Sequence, residues 1–149
     1  MALQIGDRIP FFVAKNSNGD SFEVKNYFGQ SLVIYFYPKD DTPGCTIQAC
    51  TFRDQYQDFK DLGAEVIGIS SDTVQSHQKF INQYKLPFIL LSDFDKKIRK
   101  LFGVPNDYLG LIPGRATYVA DKNGIIQLIF DSTSAKIHIQ KALEILKRM

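Results

Sequence analysis

No apolar run in this chain of 149 residues approaches the 18 that a membrane-spanning helix requires. No run of Lys and Arg forms a nucleic-acid stripe, because the net charge is only +2 and the basic residues are dispersed. The densest basic group, Lys96, Lys97, Arg99 and Lys100, reads as a solvated helix face. Neither a membrane nor a nucleic-acid partner is expected. Residues 1–7 lack a charged segment followed by an apolar one, so they do not read as a secretory leader, and they resemble no transit peptide. The expected compartment is the cytoplasm. Repeats, low-complexity tracts and linker-like stretches are also missing. The length suits one domain over residues 1–149. A domain of this size buries roughly 68–70% of its unfolded surface and needs no staples.

Cysteine is scarce. Cys45 and Cys50 are the only two, too few for a disulfide scaffold. In a chain with no export signal such a pair points to chemistry more than to stapling. It is not Cys-x-x-Cys, which disfavours an ordinary dithiol exchange role. His77 and His138 have no ligand-like spacing to the cysteines, so no metal is expected. There is no phosphate-cradling Gly loop either.

What is present is an alternation of strands and helices. Residues 11–14 and 21–24 flank Asn18-Gly19 and read as a hairpin with a positive-φ turn. Residues 31–37 are β-branched and aromatic, as in a central strand covered on both faces. Thr42-Pro43-Gly44 opens a helix predicted to run to about Leu62 and to end at Gly63. Ala49, Phe52, Tyr56 and Phe59 give it one buried stripe. A strand over 64–70, a helix over 73–84, a strand over 87–91 and a short helix over 95–102 follow. Strands over 115–121 and 125–130 form a second hairpin around Lys122-Asn123-Gly124. A helix over 134–147 closes the chain. This order implies an α/β fold, a mixed sheet between helices, with right-handed crossovers. A closing antiparallel hairpin followed by a helix is the thioredoxin-like arrangement.

Cys45 falls at about the third helical position after Thr42. The first N–H groups of a helix lack internal partners, and the helix dipole adds positive potential there. Both favour a thiolate. Bringing a thiol from about 8.5 to about 6 takes roughly 3.4 kcal/mol. A helix end supplies only about 0.3–2 kcal/mol. A second cationic or hydrogen-bonding source is required. The chemistry asks for it again: a thiolate that attacks a peroxide becomes a sulfenic acid and expels an oxygen anion, which needs donors aimed at it. The N–H groups of Gly44 and Cys45, the Thr42 hydroxyl and a guanidinium would serve both ends.

Cys50 could attack that sulfenic acid and release water as a disulfide forms. An intact helix forbids it. Five residues rise about 7.5 Å and turn about 140°, which sets the Cα atoms roughly 8.6 Å apart. A disulfide needs roughly 4.4–6.8 Å. Two readings stand on spacing alone: a redox pair whose helix must unwind, or two small hydrophobes buried in a helix.

The stretch Pro38-Lys39-Asp40-Asp41-Thr42-Pro43-Gly44-Cys45 resembles the peroxiredoxin signature Pro-x-x-x-Thr-x-x-Cys. Its continuation through Cys50 to Asp54 is similar to the bacterioferritin comigratory protein, or PrxQ, group of that family. Residues 68–72, Ser76-His77, residues 86–93 and residues 113–119 carry the same likeness, which covers nearly the whole chain. The resemblance implies a thiol-specific peroxidase for hydrogen peroxide and organic hydroperoxides, acting in antioxidant defence and cell redox homeostasis. Cys45 would be the peroxidatic cysteine and Cys50 the resolving one, joined in an intramolecular disulfide. Pro38 would shield the sulfur, Thr42 would hydrogen-bond it or the peroxide, and Arg115 would be the missing cation. On its own sequence context Arg115 reads as an exposed strand-start residue. Thioredoxin or a similar dithiol would be the reductant. No cofactor is required, and intramolecular resolution needs only a monomer. Gln48 stands where the family usually carries Glu. It cannot form a full ion pair, and it is not placed among the catalytic residues.

The remaining motifs read blandly. His77 falls on a polar helix face and is expected at the surface. Tyr35, Phe36, Tyr37 and Phe88 are expected in the core. Asp40-Asp41 and Asp93-Asp95 read as turn or cap residues. Two competing functions share the fold: a peroxide sensor that relays oxidation to a partner, and a non-catalytic binding module.

Overall fold

Strand β3 (Ser31–Phe36) organises the molecule. It pairs in parallel with β4 (Ala64–Ser70) on one side and antiparallel with β8 (Ala116–Ala120) on the other. All of β4 and β8 and the last five residues of β3 are buried. That is why their sequences are predominantly apolar rather than alternating. The computed structural model describes residues 3–107 and 112–149. Met1 and Ala2, where the leader reading begins, lie outside the described residues.

The sheet extends on both sides. β5 (Ile89–Ser92) runs parallel to β4, and β1 (Val13–Asn16) is antiparallel to both β5 and β2 (Ser21–Glu23). β9 (Ile126–Asp131) is antiparallel to β8. The order β2-β1-β5-β4-β3-β8-β9 gives the mixed, thioredoxin-like sheet expected from the order of elements. A small separate ladder joins β6 (Asn106–Asp107) to β7 (Ile112–Pro113). Both expected hairpin turns carry a positive-φ glycine, Gly19 at 82° and Gly124 at 79°.

Side chains of β3 alternate between two cores. Val33, Tyr35 and Tyr37 face a cluster with Cys45, Ala49, Phe52 and Phe59. Leu32, Ile34 and Phe36 face Ile9, Phe12, Ile98, Phe102 and Ile126. The helices are α1 (Pro43–Asp54), α2 (Tyr56–Asp61), α3 (Val74–Tyr84), α4 (Lys97–Phe102) and α5 (Ala135–Arg148). Cys45 therefore sits on the sheet face that carries Tyr35 and Tyr37. Phe52 of α1 stacks on Tyr35 with ring centroids 4.6 Å apart. Full burial of one such ring stabilises the fold by about 1.5–3 kcal/mol, so α1 has a strong anchor seven positions beyond Cys45.

The long helix expected from Thr42 to Leu62 is two helices, broken at Gln55. One turn earlier the Thr51 hydroxyl donates to the Ile47 carbonyl at 2.7 Å, a back-bond that bends helices. β5 begins at Ile89 rather than at Pro87, since proline has no N–H for a ladder. α4 begins later than expected because Asp93 caps it from a distance: its carboxylate accepts from the N–H groups of Ile98 and Arg99, each at 2.9 Å.

Candidate active site

Thr42 occupies the N-cap of α1 in an extended conformation, and Pro43 starts the helix. The Thr42 carbonyl accepts from the Thr46 N–H at 2.8 Å. Its hydroxyl makes no cap bond and instead donates to the Lys39 carbonyl at 2.9 Å. The side-chain cap expected there is absent. The first helical N–H groups, those of Gly44 and Cys45, thus have no competing side-chain acceptor at the cap. A hydroxyl that donates to a carbonyl still has lone pairs to offer a donor.

Cys45 is 2% exposed. Arg115 reaches it across the fold, from the residue just before β8. One guanidinium nitrogen, Nη2, lies 3.4 Å from the Cys45 sulfur, and the other, Nη1, donates to Gln48 Oε1. The planar fork therefore spans one turn of α1, from position 45 to position 48. Arg115 is itself buried, at 7% exposure. It is held from behind by its carbonyl, which accepts from the Ser132 N–H at 3.2 Å. Gly44 eases the approach: a Cβ there would lie 3.1 Å from Nη2, a tight contact that the fork would have to shift to relieve.

The guanidinium sets a cation beside the Cys45 sulfur, where the helix-end arithmetic asked for one. Read locally, Arg115 is a surface residue, and only the tertiary fold buries it. Gln48, set aside in the sequence, is fully buried and directly bonded to this cation. Its position three residues after Cys45 puts both on one helix face, a signal that was available. Its amide nitrogen has no hydrogen-bond partner, nor does the buried hydroxyl of Tyr35. Burial, and then the charges of Cys45 and Asp40, raise the Tyr35 phenol well above its ordinary value. Both orphans are donors at neutral pH.

The other expected site residues are spread around this centre. Cys50 is partly exposed on the same helix, and both thiols are free. α1 is continuous through both, so helix geometry keeps their Cα atoms roughly 8.6 Å apart. Pro38 is half-buried, two residues past the end of β3.

Three bland readings need correction. His77 is fully buried, not on a solvent face. It shares a stripe with Val74, Phe80, Ile81 and Tyr84, at helical spacing that could have located it. Asp40 is a buried acceptor rather than a cap, and receives the Tyr37 hydroxyl at 2.6 Å. In the basic stretch over 96–100, Arg99 is buried and donates to the Gly114 carbonyl at 2.8 Å.

His138 lies behind Arg115. Its Nε2 donates to the Ser132 carbonyl at 2.7 Å, so its Nδ1 accepts from the Thr117 hydroxyl at 2.8 Å. Burial pushes its pKa down to about 4, with a smaller lowering from the Arg115 charge. A histidine held neutral in the fold gains protons on unfolding below its ordinary value of about 6.5. Stability is therefore expected to fall as the pH drops from about 6.5 to about 4, by on the order of 3 kcal/mol. Urea denaturation at steps across this range checks it, and His138→Gln should flatten the slope.

Comparison with known proteins agrees with this geometry. Residues 5–129 match the AhpC/TSA family. The chloroplastic peroxiredoxin Q of Sedum lineare is 48% identical over 145 residues, covering 97% of this chain and 78% of that one. The chloroplastic peroxiredoxin Q of Arabidopsis thaliana is 52% identical over 143 residues, covering 95% of this chain and 66% of that one. Among solved structures, peroxidoxin BcpB from Mycobacterium tuberculosis superposes with a TM-score of 0.90 at 31% identity, covering 99% of this chain and 98% of that one. A Xanthomonas campestris bacterioferritin comigratory protein, studied for its alkyl peroxide reduction activity, gives 0.84 at 31% identity, covering 92% and 90%.

The relatives' names overturn one expectation. A cytoplasmic location was read from residues 1–7, yet these relatives are named chloroplastic. Addresses are carried by segments separate from the folded domain they deliver, so a domain's own residues do not record its compartment. By family match, sequence identity and backbone, this chain belongs to the AhpC/TSA family, in its bacterioferritin comigratory protein and peroxiredoxin Q group.

Proposed function

We propose that Cys45 is the sulfur oxidised by peroxide in this thiol peroxidase, and that Cys50 resolves it. The chain reduces hydroperoxides, as its family does, and so serves antioxidant defence and cell redox homeostasis. The observation that carries the residue assignment is the Arg115 fork, with one nitrogen on the Cys45 sulfur and the other on Gln48.

In the first step the Cys45 thiolate attacks the outer oxygen of the peroxide. The O–O bond breaks, the sulfur gains the oxygen as a sulfenic acid, and the remaining oxygen leaves as an anion that takes a proton to become water or alcohol. Arg115 favours the thiolate beforehand and the anion afterwards. The N–H groups of Gly44 and Cys45 complete the donor set. The Thr42 oxygen, whose hydrogen goes to the Lys39 carbonyl, is free to accept from the O–H of the incoming peroxide, and Pro38 limits water at the mouth. In the second step the Cys50 thiolate attacks the sulfenic sulfur, a disulfide forms and hydroxide leaves. In the third step a dithiol donor, thioredoxin or a similar protein, reduces the disulfide and is itself oxidised. The chloroplastic names of its relatives make a plastid thioredoxin the first donor to try. A monomer with residues 1–149 as one domain suffices for the cycle.

The test is intact mass after one equivalent of hydrogen peroxide. Wild type should lose two hydrogens, and Cys50→Ser should hold a sulfenic acid that a dimedone-type reagent traps. A stable gain of oxygen by wild type, with no disulfide, would remove Cys50 from the resolving role. The helix must open in the second step, so amide exchange over residues 43–50 should be faster in the disulfide form than in the dithiol form. Equal protection in the two states would refute the unwinding.

A further inference from the structure

The loop over residues 38–42 leads from β3 into the helix that carries Cys45, and it is pinned to α3 rather than to α1. The Asp40 carboxylate accepts from the Tyr37 hydroxyl at 2.6 Å and from the Ser76 hydroxyl at 2.8 Å. It also lies 2.7 Å from His77 Nδ1. The Asp40 N–H donates to Asp72 at 2.8 Å, and Asp72 in turn accepts from Ser70 at 2.6 Å. Next along the loop, Asp41 accepts from the Tyr84 hydroxyl at 2.9 Å. Asp41 is held at φ 58°. A non-glycine residue keeps that conformation only where its surroundings over-determine it, and here both sides of the loop are tied to one helix.

The protons in this cluster can be assigned from geometry. His77 Nε2 lies 2.9 Å from the Leu91 carbonyl, an acceptor only, so Nε2 carries a hydrogen. A neutral ring would then turn a bare Nδ1 toward the Asp40 carboxylate at 2.7 Å. Two lone pairs do not sit at that distance, so a proton lies between them. Both Asp40 oxygens already accept a hydroxyl, Oδ1 from Tyr37 and Oδ2 from Ser76. The carboxylate therefore acts as an acceptor throughout, and the proton between the two groups is placed on the ring. The Tyr37 phenol, raised by burial and by Asp40, remains a donor. His77 is 0% exposed at its side chain and Asp40 3%, so the pair is shielded from water and salt.

We propose that His77, as an imidazolium paired with Asp40, is a positioning residue of the peroxidase: it locks the 38–42 loop to α3 and so fixes where the Cys45 helix begins. His77 does not touch the sulfur. Its effect runs through Asp40 and the loop to Thr42, Gly44 and Cys45. The lock lies upstream of the turns that must unwind, so it serves the oxidation step and leaves resolution by Cys50 free. The proposal rests on Cys45 being the oxidised sulfur.

His77→Gln keeps a donor for the Leu91 carbonyl and removes the proton facing Asp40. Its two half-reactions are measured by stopped flow: oxidation in a Cys50→Ser background, and disulfide formation with Cys50 present. Oxidation should slow by about ten- to hundredfold, the range that small misplacement of a reacting group produces. Disulfide formation should stay within about twofold or accelerate. Amide exchange should rise over residues 38–45 and not in the sheet. Nitrogen NMR of the wild-type His77 ring should show both nitrogens protonated. A bare ring nitrogen, or oxidation in folded His77→Gln within about twofold of wild type, overturns the proposal. If His77→Gln does not fold, Ser76→Ala takes its place, removing one donor from Asp40 with the pair retained. It should slow oxidation alone, by about threefold, and an unchanged rate overturns the proposal. The same traces test the underlying reading separately, since absence of rapid Cys45 oxidation in wild type sinks that reading, whatever His77 does.

Discussion

Cys45→Ser is expected to abolish peroxide turnover with the fold intact. A serine hydroxyl at this position can still accept from Arg115, so the buried site loses no hydrogen-bonding group and gains only a small void. What disappears is the chemistry. A hydroxyl is not appreciably ionised at neutral pH, and its oxygen cannot be carried to the next oxidation state as sulfur can. No measurable consumption of hydrogen peroxide in a donor-coupled assay, together with an unchanged thermal midpoint, is the expected result. Retained turnover would move the reactive sulfur to Cys50. Cys50→Ser gives the complementary pattern, with one fast oxidation per chain and then arrest. A binding module on the same fold would be indifferent to Cys45→Ser, so this substitution also separates enzyme from scaffold.

Arg115→Met is expected to reduce the rate of Cys45 oxidation by about 10²–10³, equivalent to about 2.7–4 kcal/mol, the effect of losing one preorganised donor at a developing oxyanion. The guanidinium meets both ends of the step. Before attack it stands 3.4 Å from the sulfur and favours the thiolate, and after attack its remaining N–H groups face the expelled oxygen. Arg115→Lys should recover part of the loss, because an ammonium restores charge and cannot span both Cys45 and Gln48 as the fork does. The substitution to Met also leaves Gln48 Oε1 without its donor in a buried site, a cost of about 1–3 kcal/mol that denaturant titration would register. Rate and stability losses are separated by Gly44→Ala. Its Cβ would meet Nη2 at 3.1 Å and displace the fork with its charge retained, so oxidation should slow with little change in stability. If Arg115→Met oxidises at the wild-type rate, the N–H groups of the helix end suffice and the cation is dispensable.

Much of the site was legible because its rules are local. Thr42, Pro43 and Gly44 start a helix by the dihedral preferences of three consecutive residues, and Cys45 inherits its place from them. The need for a remote cation followed from magnitudes, since a helix end is too weak alone. The conflict between Cys45 and Cys50 followed from helix geometry that no tertiary context alters. The nearly continuous apolar character of residues 31–37 announced a central strand covered on both faces. By itself, then, the sequence determined the element order, the thioredoxin-like class, the place of Cys45 at a helix start and the helical separation of the two cysteines.

Only the tertiary structure decided which charges are buried and what they touch. Arg115 is 70 residues from Cys45, and His77 is 37 from Asp40. No local propensity carries that information, because both pairs are made by strand pairing and helix docking. Thr42 shows the limit at short range: its residue type suits a cap, and the Lys39 carbonyl captures its hydroxyl instead. Gln48 shows it for chemistry, being a neutral residue whose part depends wholly on the guanidinium laid across it. The helix start places Cys45, and the charge beside its sulfur arrives from the start of β8, 70 residues along the chain.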